Sequence, residues 1–510
     1  MRQLSNFEMR DVETLLHPTT NLATHRTAGP LVLDHAEGVY VYDGTGKRYI
    51  EGLAGLWCAA LGYGNRELVQ AAAEQMSKLS FTHLFGGRSH EPAIQLAEKI
   101  KEIAPAPTSK VFFTSSGSEA NDTQIKLAWY YNNARGKPNK KKIISRMRAY
   151  HGVTIATASL TGLPVFHTDF DLPMARVLHT DCPHYYRYGE PGETEEEYAS
   201  RLARRLEELI EREGPDTVAA FIAEPVMGAG GVLTPPKTYF EKIQAVLARH
   251  DIALIADEVI CGFGRTGNMF GSHTYGIRPD TVTLAKAITS AYFPLGALTV
   301  SEPVYQALVD ESKKIGVFAH GFTYSGHPVA CAVANKTLEI YDRIDIVGHV
   351  QRVAPVFQTR LRALANHPLV GDARGVGLIG IEQRPQAASR RGRSSSRSRR
   401  AGGRSTIASP GAAARLASTD AAGGACRPRD ASRPASRAVR LPRRSSPPGR
   451  WRTAGRPLSG SAPVRSDLHG RGVGGARSPT RDQRRSWHPD DRPRGGHGCA
   501  RSPRRWRLRQ

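Results

Sequence analysis

The sequence predicts an α/β fold built on a mostly parallel central sheet. Short apolar runs of strand length recur between residues 110 and 286, and amphipathic helical stretches separate several of them. Near-continuous apolar strands alternating with helices belong to parallel sheets covered on both faces. No run of 18 apolar residues occurs, so no membrane-spanning helix is expected.

In chain order, residues 38–52 read as a hairpin, because GVYVYD and RYIEGL alternate and GTGK supplies the turn. RELVQAAAEQMSKL and EPAIQLAEKIKEIA follow as amphipathic helices. Strands are then predicted at KVFFTS (110–115), KIISRM (142–147), TVAAFIAE (217–224), IALIADEV (252–259) and TVTLAK (281–286). EEEYASRLARRLEELIERE and KTYFEKIQAVLARH are helices between them. A long helical region over about 328–365 leads out of the sheet, and GVGLIGIE is a last strand ending at Glu382. No internal repeat is present.

The charge is divided sharply near residue 382. The chain carries 71 Lys plus Arg against 47 Asp plus Glu, a formal charge of +24. From Gln383 to Gln510 there are 32 Arg, 6 Asp, no Lys and no Glu, while the first 382 residues hold 39 basic and 41 acidic side chains. The basic balance belongs to the tail alone, so net charge does not make the whole chain a nucleic-acid binder. Only 12 of the tail's 128 residues are Ile, Leu, Val or Trp, and it has no Phe, Tyr, Met or Asn. So little apolar surface cannot offset chain entropy, and disorder is predicted for 383–510. Three readings of it stand: an Arg/Ser-rich nucleic-acid tail, an inert extension, or the product of a shifted reading frame. The third is favoured. Joint loss of Lys and Glu, with Arg, Ala, Gly, Pro and Ser in excess, is what GC-rich codons give out of frame. The break also falls inside a strand, where no linker is needed.

Six Cys stand at 58, 182, 261, 331, 426 and 499 without a CxxC pair. Neither a disulfide framework nor a zinc site is expected from them. A reducing cytoplasm fits. The start, MRQLSNFEMRDVETLL, lacks a continuous apolar stretch, so no signal peptide is expected.

Five stretches carry candidate chemistry. In TSSGSEAND a strand ends at Ser115 and a helix starts near Ser118. A Gly-Ser turn there offers free N–H groups and the positive end of the helix dipole to an anion, or Ser118 is an ordinary N-cap. In IADEVICGFGRTG, Asp257 closes an apolar strand, where ligands sit in open α/β sheets. It can hold a cationic ring nitrogen, or be satisfied by loop amides. GFGRTG is not a dinucleotide fingerprint, since its spacing and placement are wrong. In TVTLAKAITSAYFPLGA, Lys286 ends another strand, where poor hydration favours a nucleophilic amine; a snorkelling Lys is the alternative. Tyr150 and His151 follow KIISRM, where an aromatic can cover a planar ligand or simply pack in the core. Thr323 and Ser325 sit in a polar turn before a helix, where capping is the alternative. Together these supply a phosphate cradle, a ring cover, an acid and a lysine, the set that pyridoxal phosphate requires.

Residues 15–382 resemble the class III pyridoxal-phosphate aminotransferases of fold type I, and are most similar to the ω-transaminases of the amine or β-alanine:pyruvate kind. The matching stretches are GLAGLWCAALGYG, SGSEAND, YHG, AEPV, DEVICGFGRTG, LAKAITSAYFPLGA and HGFTYSGHP. The resemblance implies a small α+β domain beside the large one. It divides the chain into an N-terminal part of the small domain (1–65), a large cofactor domain (66–327), linking helices with the start of the C-terminal small domain (328–382), and the tail. It implies that Lys286 is the Schiff-base lysine and Asp257 the partner of the pyridine nitrogen. Val259 and Tyr150 would lie on the two ring faces, Gly117 and Ser118 at the phosphate, and Glu224 beside the ring hydroxyl. Thr323 would reach the phosphate of a neighbouring subunit, which implies a homodimer. Trp57 and Tyr150 would line the substrate pocket. An amine or ω-amino acid would be the donor, and a keto acid such as pyruvate the acceptor.

The family pattern stops after Glu382. Members of this subgroup place beyond it an Arg that pairs with the substrate carboxylate, and none of the 32 tail arginines matches it. Two further readings therefore accompany the working enzyme: an impaired transaminase lacking its C-terminal subdomain, and a nucleic-acid binder acting through the tail.

Overall fold

The structure is a computed structural model and describes residues 3–385. The expectations for the tail, including its disorder, fall on residues 386–510 and lie outside the described residues.

The predicted parallel sheet is present. Seven strands form it: β4 (Lys110–Thr114), β5 (Lys142–Arg146), β6 (Val177–Thr180), β7 (Val218–Ala223), β8 (Ala253–Asp257), β9 (Thr281–Leu284) and β10 (Gly296–Val300). Their order is β4-β10-β9-β8-β7-β5-β6, and only β10 runs antiparallel to its neighbours. All seven lie within the 66–327 segment. Two of them, β6 and β10, are missing from the sequence reading. VLHT is short and carries a His, and GALTV is small-residue-rich and continues a Pro-Gly loop, so neither gives a clear strand signal.

Side-chain alternation along the strands builds two cores. Ile144, Phe221 and Leu254 face the helices Glu195–Glu213 and Tyr239–Arg249. Ile143, Ala220, Ile222 and Ile255 face the other way, against Ile125 and Trp129 of the helix Gly117–Ala134. A period of two sends neighbouring residues to opposite faces. Burying each large side chain contributes roughly 1.5–3 kcal/mol, which makes this sheet a rigid platform for its carboxyl ends.

Two smaller sheets stand apart from it. β1 (Leu33–Glu37), β2 (Tyr40–Asp43) and β3 (Arg48–Ile50) form an antiparallel sheet; β2 and β3 are the predicted hairpin, and β1 is an addition. The predicted last strand GVGLIGIE is instead parts of two. β11 (Asp372–Val376) and β12 (Ile379–Gln383) pair antiparallel about Gly377, which takes φ +55° and so suits glycine. The helical region 328–365 is likewise two helices, Pro328–Arg343 and Ile346–Ala363. Asp345 breaks them with φ +47°, and its side chain caps the second by accepting from the Gly348 amide. Two short helices precede β1: α1 (Asn6–Thr14), held by a Ser5–Glu8 capping box, and α2 (Leu22–Ala28), capped by Asn21. Their polar, brief sequences carry little periodic signal. Among the described residues no helix is long and apolar enough to cross a membrane.

Candidate active site

The carboxyl ends of β4, β5, β7, β8 and β9 meet at one cleft of about 160 Å³. Gly117, Ser118, Tyr150, Glu224, Asp257, Val259 and Lys286 all line it. Seven of the nine predicted site residues are therefore brought together from positions spread over 170 residues.

The anion end of the cleft is the N-terminus of the helix Gly117–Ala134. Its cap is Ser116, not Ser118: the Ser116 hydroxyl accepts from the Glu119 amide at 3.2 Å. Serines at 115, 116 and 118 compete for that role in the sequence, and the register of the strand end decides it. Ser118 is left facing the cleft, where its hydroxyl accepts from the Val153 amide at 3.3 Å. The first helical amides lack intrahelical acceptors and point outward with the positive end of the dipole. Gly152 has to be glycine in this turn, and Gly117 is tight. A Cβ at Gly117 would lie 3.1 Å from Val259, and one at Gly152, where φ is +133°, would lie 2.5 Å from the Ser118 hydroxyl. The backbone is thus shaped to leave room for a group against it.

Asp257 closes β8 and is buried. Its Oδ2 accepts from Asn121 Nδ2 at 2.8 Å and lies 2.8 Å from His151 Nδ1, while Oδ1 accepts from the Val259 amide at 3.1 Å. Three donors hold the carboxylate in one orientation. Asn121 also donates to the His151 carbonyl, which ties the helix, the Tyr150–His151 turn and β8 together. Neither Asn121 nor His151 is among the sequence-predicted site residues. They sit inside SGSEAND and beside Tyr150, yet the contact between positions 106 apart has no local signature.

Glu224 follows β7 and is buried; its two carboxylate oxygens accept from the Tyr150 and Gly228 amides at 3.0 and 2.9 Å. Burial pushes its carboxyl upward. Glu224 thereby positions the Tyr150 backbone at the cleft wall. Burial also raises the Tyr150 phenol, with the neighbouring Asp257 adding to it.

Lys286 lies two residues beyond β9, in left-handed backbone with φ +53°. For a non-glycine residue that conformation costs on the order of 1 kcal/mol. It aims the side chain into the cleft. Burial lowers the ammonium's affinity for its proton, and Asp257 opposes this. A desolvated amine facing a held carboxylate at the mouth of an anion cradle is equipped for covalent capture of an aldehyde and for proton transfer.

Two predicted residues lie outside this cleft. Trp57 packs against the buried cluster of Val226, Val232, Ile260, Cys261 and Ile379, and its carbonyl accepts from Arg265 at 3.5 Å. It belongs to a turn in which Ala54, Leu56 and Trp57 all have positive φ. Its neighbour Cys58 feels the charge of Lys286 and Arg265. Thr323 is exposed, and Tyr324 beside it meets Phe81 with ring centroids 5.5 Å apart. A larger cleft of about 570 Å³ opens at the opposite end of the sheet, near Arg135, Asp251, Arg278 and Thr281, and includes none of these groups.

Known proteins similar to this chain identify its family. The family model described as Aminotransferase class-III matches residues 22–402. γ-Aminobutyrate transaminase 1, mitochondrial, of Oryza sativa subsp. japonica is 59% identical over 351 residues, 69% of this chain and 68% of that protein. The tomato (Solanum lycopersicum) γ-aminobutyrate transaminase 1, mitochondrial, is 58% identical over the same shares. Among solved structures, the ω-transaminase from Pseudomonas jessenii in complex with PMP superposes with TM-score 0.74 at 53% identity, covering 74% of this chain and 84% of that one.

Proposed function

The chain belongs to the class III aminotransferases, and from that premise we propose its residue roles and substrates. The reaction is pyridoxal-phosphate-dependent transamination between an amine and a keto acid. When bound, the cofactor supplies an aldehyde that takes up the amino group and a ring that accepts the electron pair freed at the donor's Cα.

The observation that carries the assignment of roles is that half-buried Lys286 and buried Asp257 line one cleft that ends on a helix N-terminus. Gly117 and Ser118, at the helix N-terminus, would bind the phosphate through their amides. Tyr150 and Val259, which line the cleft, would enclose the ring. Asp257, held by His151 and Asn121, would keep the ring nitrogen's proton in place. Glu224 holds the Tyr150 backbone and would stand on the ring-hydroxyl side. Lys286 Nζ would hold the cofactor's aldehyde carbon, and once displaced by the donor its free amine would take the proton from the donor's Cα as base and return it as acid. Its desolvation favours the neutral amine, and Asp257 opposes this. Trp57 serves as a wall for the donor's side chain.

An ω-amino acid or simple amine is the proposed donor, and pyruvate the proposed acceptor. The γ-aminobutyrate transaminases and the ω-transaminase among the relatives support that class. We place the enzyme in the cytoplasm as a homodimer. Exposure of Thr323, with Phe81, Phe85 and Tyr324 also exposed around it, supports a second copy covering that face. The plant relatives carry "mitochondrial" in their names, so fractionation of cells is the check on compartment. Light scattering of the eluting protein is the check on the dimer.

The deciding experiment is a visible spectrum of the dialysed protein before and after addition of alanine or γ-aminobutyrate. A yellow band that an amine shifts, and a keto acid restores, supports the reading. A second reading, impaired catalysis, is favoured by the tail composition, since no arginine there matches the family's carboxylate anchor. Colourless protein would support it. Salt-sensitive DNA or RNA binding, lost on deleting 383–510, would instead mark a nucleic-acid role for the tail.

A further inference from the structure

The N-terminal segment brings two imidazoles to one carboxylate. Asp11 lies on α1, His17 in the turn that follows, and His25 on α2. His17 Nε2 is 2.8 Å from Asp11 Oδ1 and 3.0 Å from Oδ2, and His25 Nε2 is 3.1 Å from Oδ1. The two rings are close, with centroids 4.3 Å apart. His25 is 8% exposed, Asp11 18% and His17 26%. The cluster is therefore sheltered but reachable from solvent.

We propose that Asp11, His17 and His25 form a binding site for a divalent transition-metal ion of the zinc type, which clips α1 to α2. One ligand atom from each residue lies within 4.8 Å of the others. Two imidazoles and one carboxylate are a common donor set for Zn²⁺. At metal–ligand distances of about 2.0–2.2 Å, tetrahedral donors stand roughly 3.4 Å apart. The 2.8–3.1 Å contacts to Asp11 would open by about 0.3–0.6 Å, and a bidentate contact becomes a single one. Solvent completes the fourth position through the exposed side of His17.

Chemistry favours the metal over a plain hydrogen-bonded trio. Both imidazoles turn Nε2 toward the Asp11 carboxylate, so the three ligand atoms already converge. The turn is already fixed: Asn21 caps α2 by accepting from the Thr24 amide, and Thr19 adopts φ +49°. Preset ligands lose less entropy on binding. The clip also has something to hold. Phe7, Met9, Leu15, Leu16 and Leu22 are exposed, so apolar burial alone ties this segment weakly. The cysteine pattern is no guide to this site, because no thiol takes part.

The test uses the full-length chain with its cofactor bound, stripped with chelator and dialysed against Zn²⁺. Metal analysis should find one ion per chain that His17→Ala, His25→Ala and Asp11→Asn each lose, with dissociation constants weakened at least about 100-fold. Replacing Zn²⁺ by Co²⁺ should give the visible band of a four-coordinate ion in the wild type only. Bound Zn²⁺ should slow proteolysis within residues 5–28. The double variant His497→Ala/Cys499→Ala controls for capture by the tail and should keep the ion. Equal metal in the wild type and the three site variants, or no metal in any, overturns the proposal and leaves a hydrogen-bonded trio. Cofactor absorbance reports the fold of each variant independently.

Discussion

His151 Nδ1 sits 2.8 Å from Asp257 Oδ2, and both side chains are buried. A carboxylate accepts, so the imidazole proton is placed on Nδ1 and the ring is fixed in one orientation. Asn121 donates to the same oxygen. The acid at the end of β8 is thus a held group, and its direction comes from residues on two other elements.

Removing those holders should weaken the cofactor's grip while leaving the carboxylate in place. His151→Ala and Asn121→Ala are expected to lower cofactor affinity and kcat by about 10–100-fold each, as loss of an orienting partner does. Asp257→Asn removes the charge itself and should cost about 100–1,000-fold in kcat. Fluorescence titration of the cofactor and single-turnover kinetics measure both. Equal losses in all three variants would show that orientation, not charge, dominates.

Lys286 carries both the covalent and the proton-transfer roles, and the two can be separated. Lys286→Ala should lose at least about 100–10,000-fold in the proton-transfer step and lose the yellow absorbance outright. Small primary amines added to this variant should restore part of the rate, since the cleft keeps its other walls. A variant that still turns over unaided would remove Lys286 from the mechanism.

Gly152 tests the anion cradle. With φ +133° and its Cβ position 2.5 Å from Ser118 Oγ and 2.6 Å from Thr157 Oγ1, alanine there must displace both hydroxyls. Gly152→Ala is expected to cost about 1–3 kcal/mol of stability. It should also weaken binding of the phosphorylated cofactor more than binding of free pyridoxal. Melting curves and paired titrations check the two effects. Equal weakening for both ligands would place the cradle elsewhere.

What was legible in the sequence is what a strand end exposes. Asp257 and Lys286 are charges at the close of apolar runs, and Gly117 breaks a strand just before a helix. Their meeting in one cleft follows once a parallel sheet is accepted. The cap at Ser116 was misplaced because three serines crowd the turn and a single-residue register chooses between them. His151 and Asn121 were hidden because their work is done across the sheet. β10 was hidden because GALTV earns its place through antiparallel pairing with β4 and β9, which leaves no local trace. The cluster of Asp11, His17 and His25 was hidden for a similar reason: a chain reversal, not spacing along one element, gathers it.

Glu258, next to the catalytic acid, should give the folded state a pH-dependent stability. It is fully buried, and its carboxylate accepts from the Gly271 amide, the Ser272 amide and the Ser272 hydroxyl. Burial outweighs these donors and lifts the carboxyl to about 7. The unfolded chain's Glu titrates near 4.5. Between those values the folded protein binds more protons than the unfolded one, so stability falls as pH rises through the window. The contribution is complete below about pH 4.5 and is lost by about pH 7, an effect on the order of 3 kcal/mol. Denaturant midpoints measured at pH 5 and pH 7.5 should therefore drop with rising pH by that amount from this group. Glu258→Gln keeps the shape, cannot ionise, and should flatten the difference while costing stability at pH 5 where its amide faces two N–H donors. An unchanged slope in Glu258→Gln would mean that Glu258 stays ionised across the range and that its three donors, not burial, set its state.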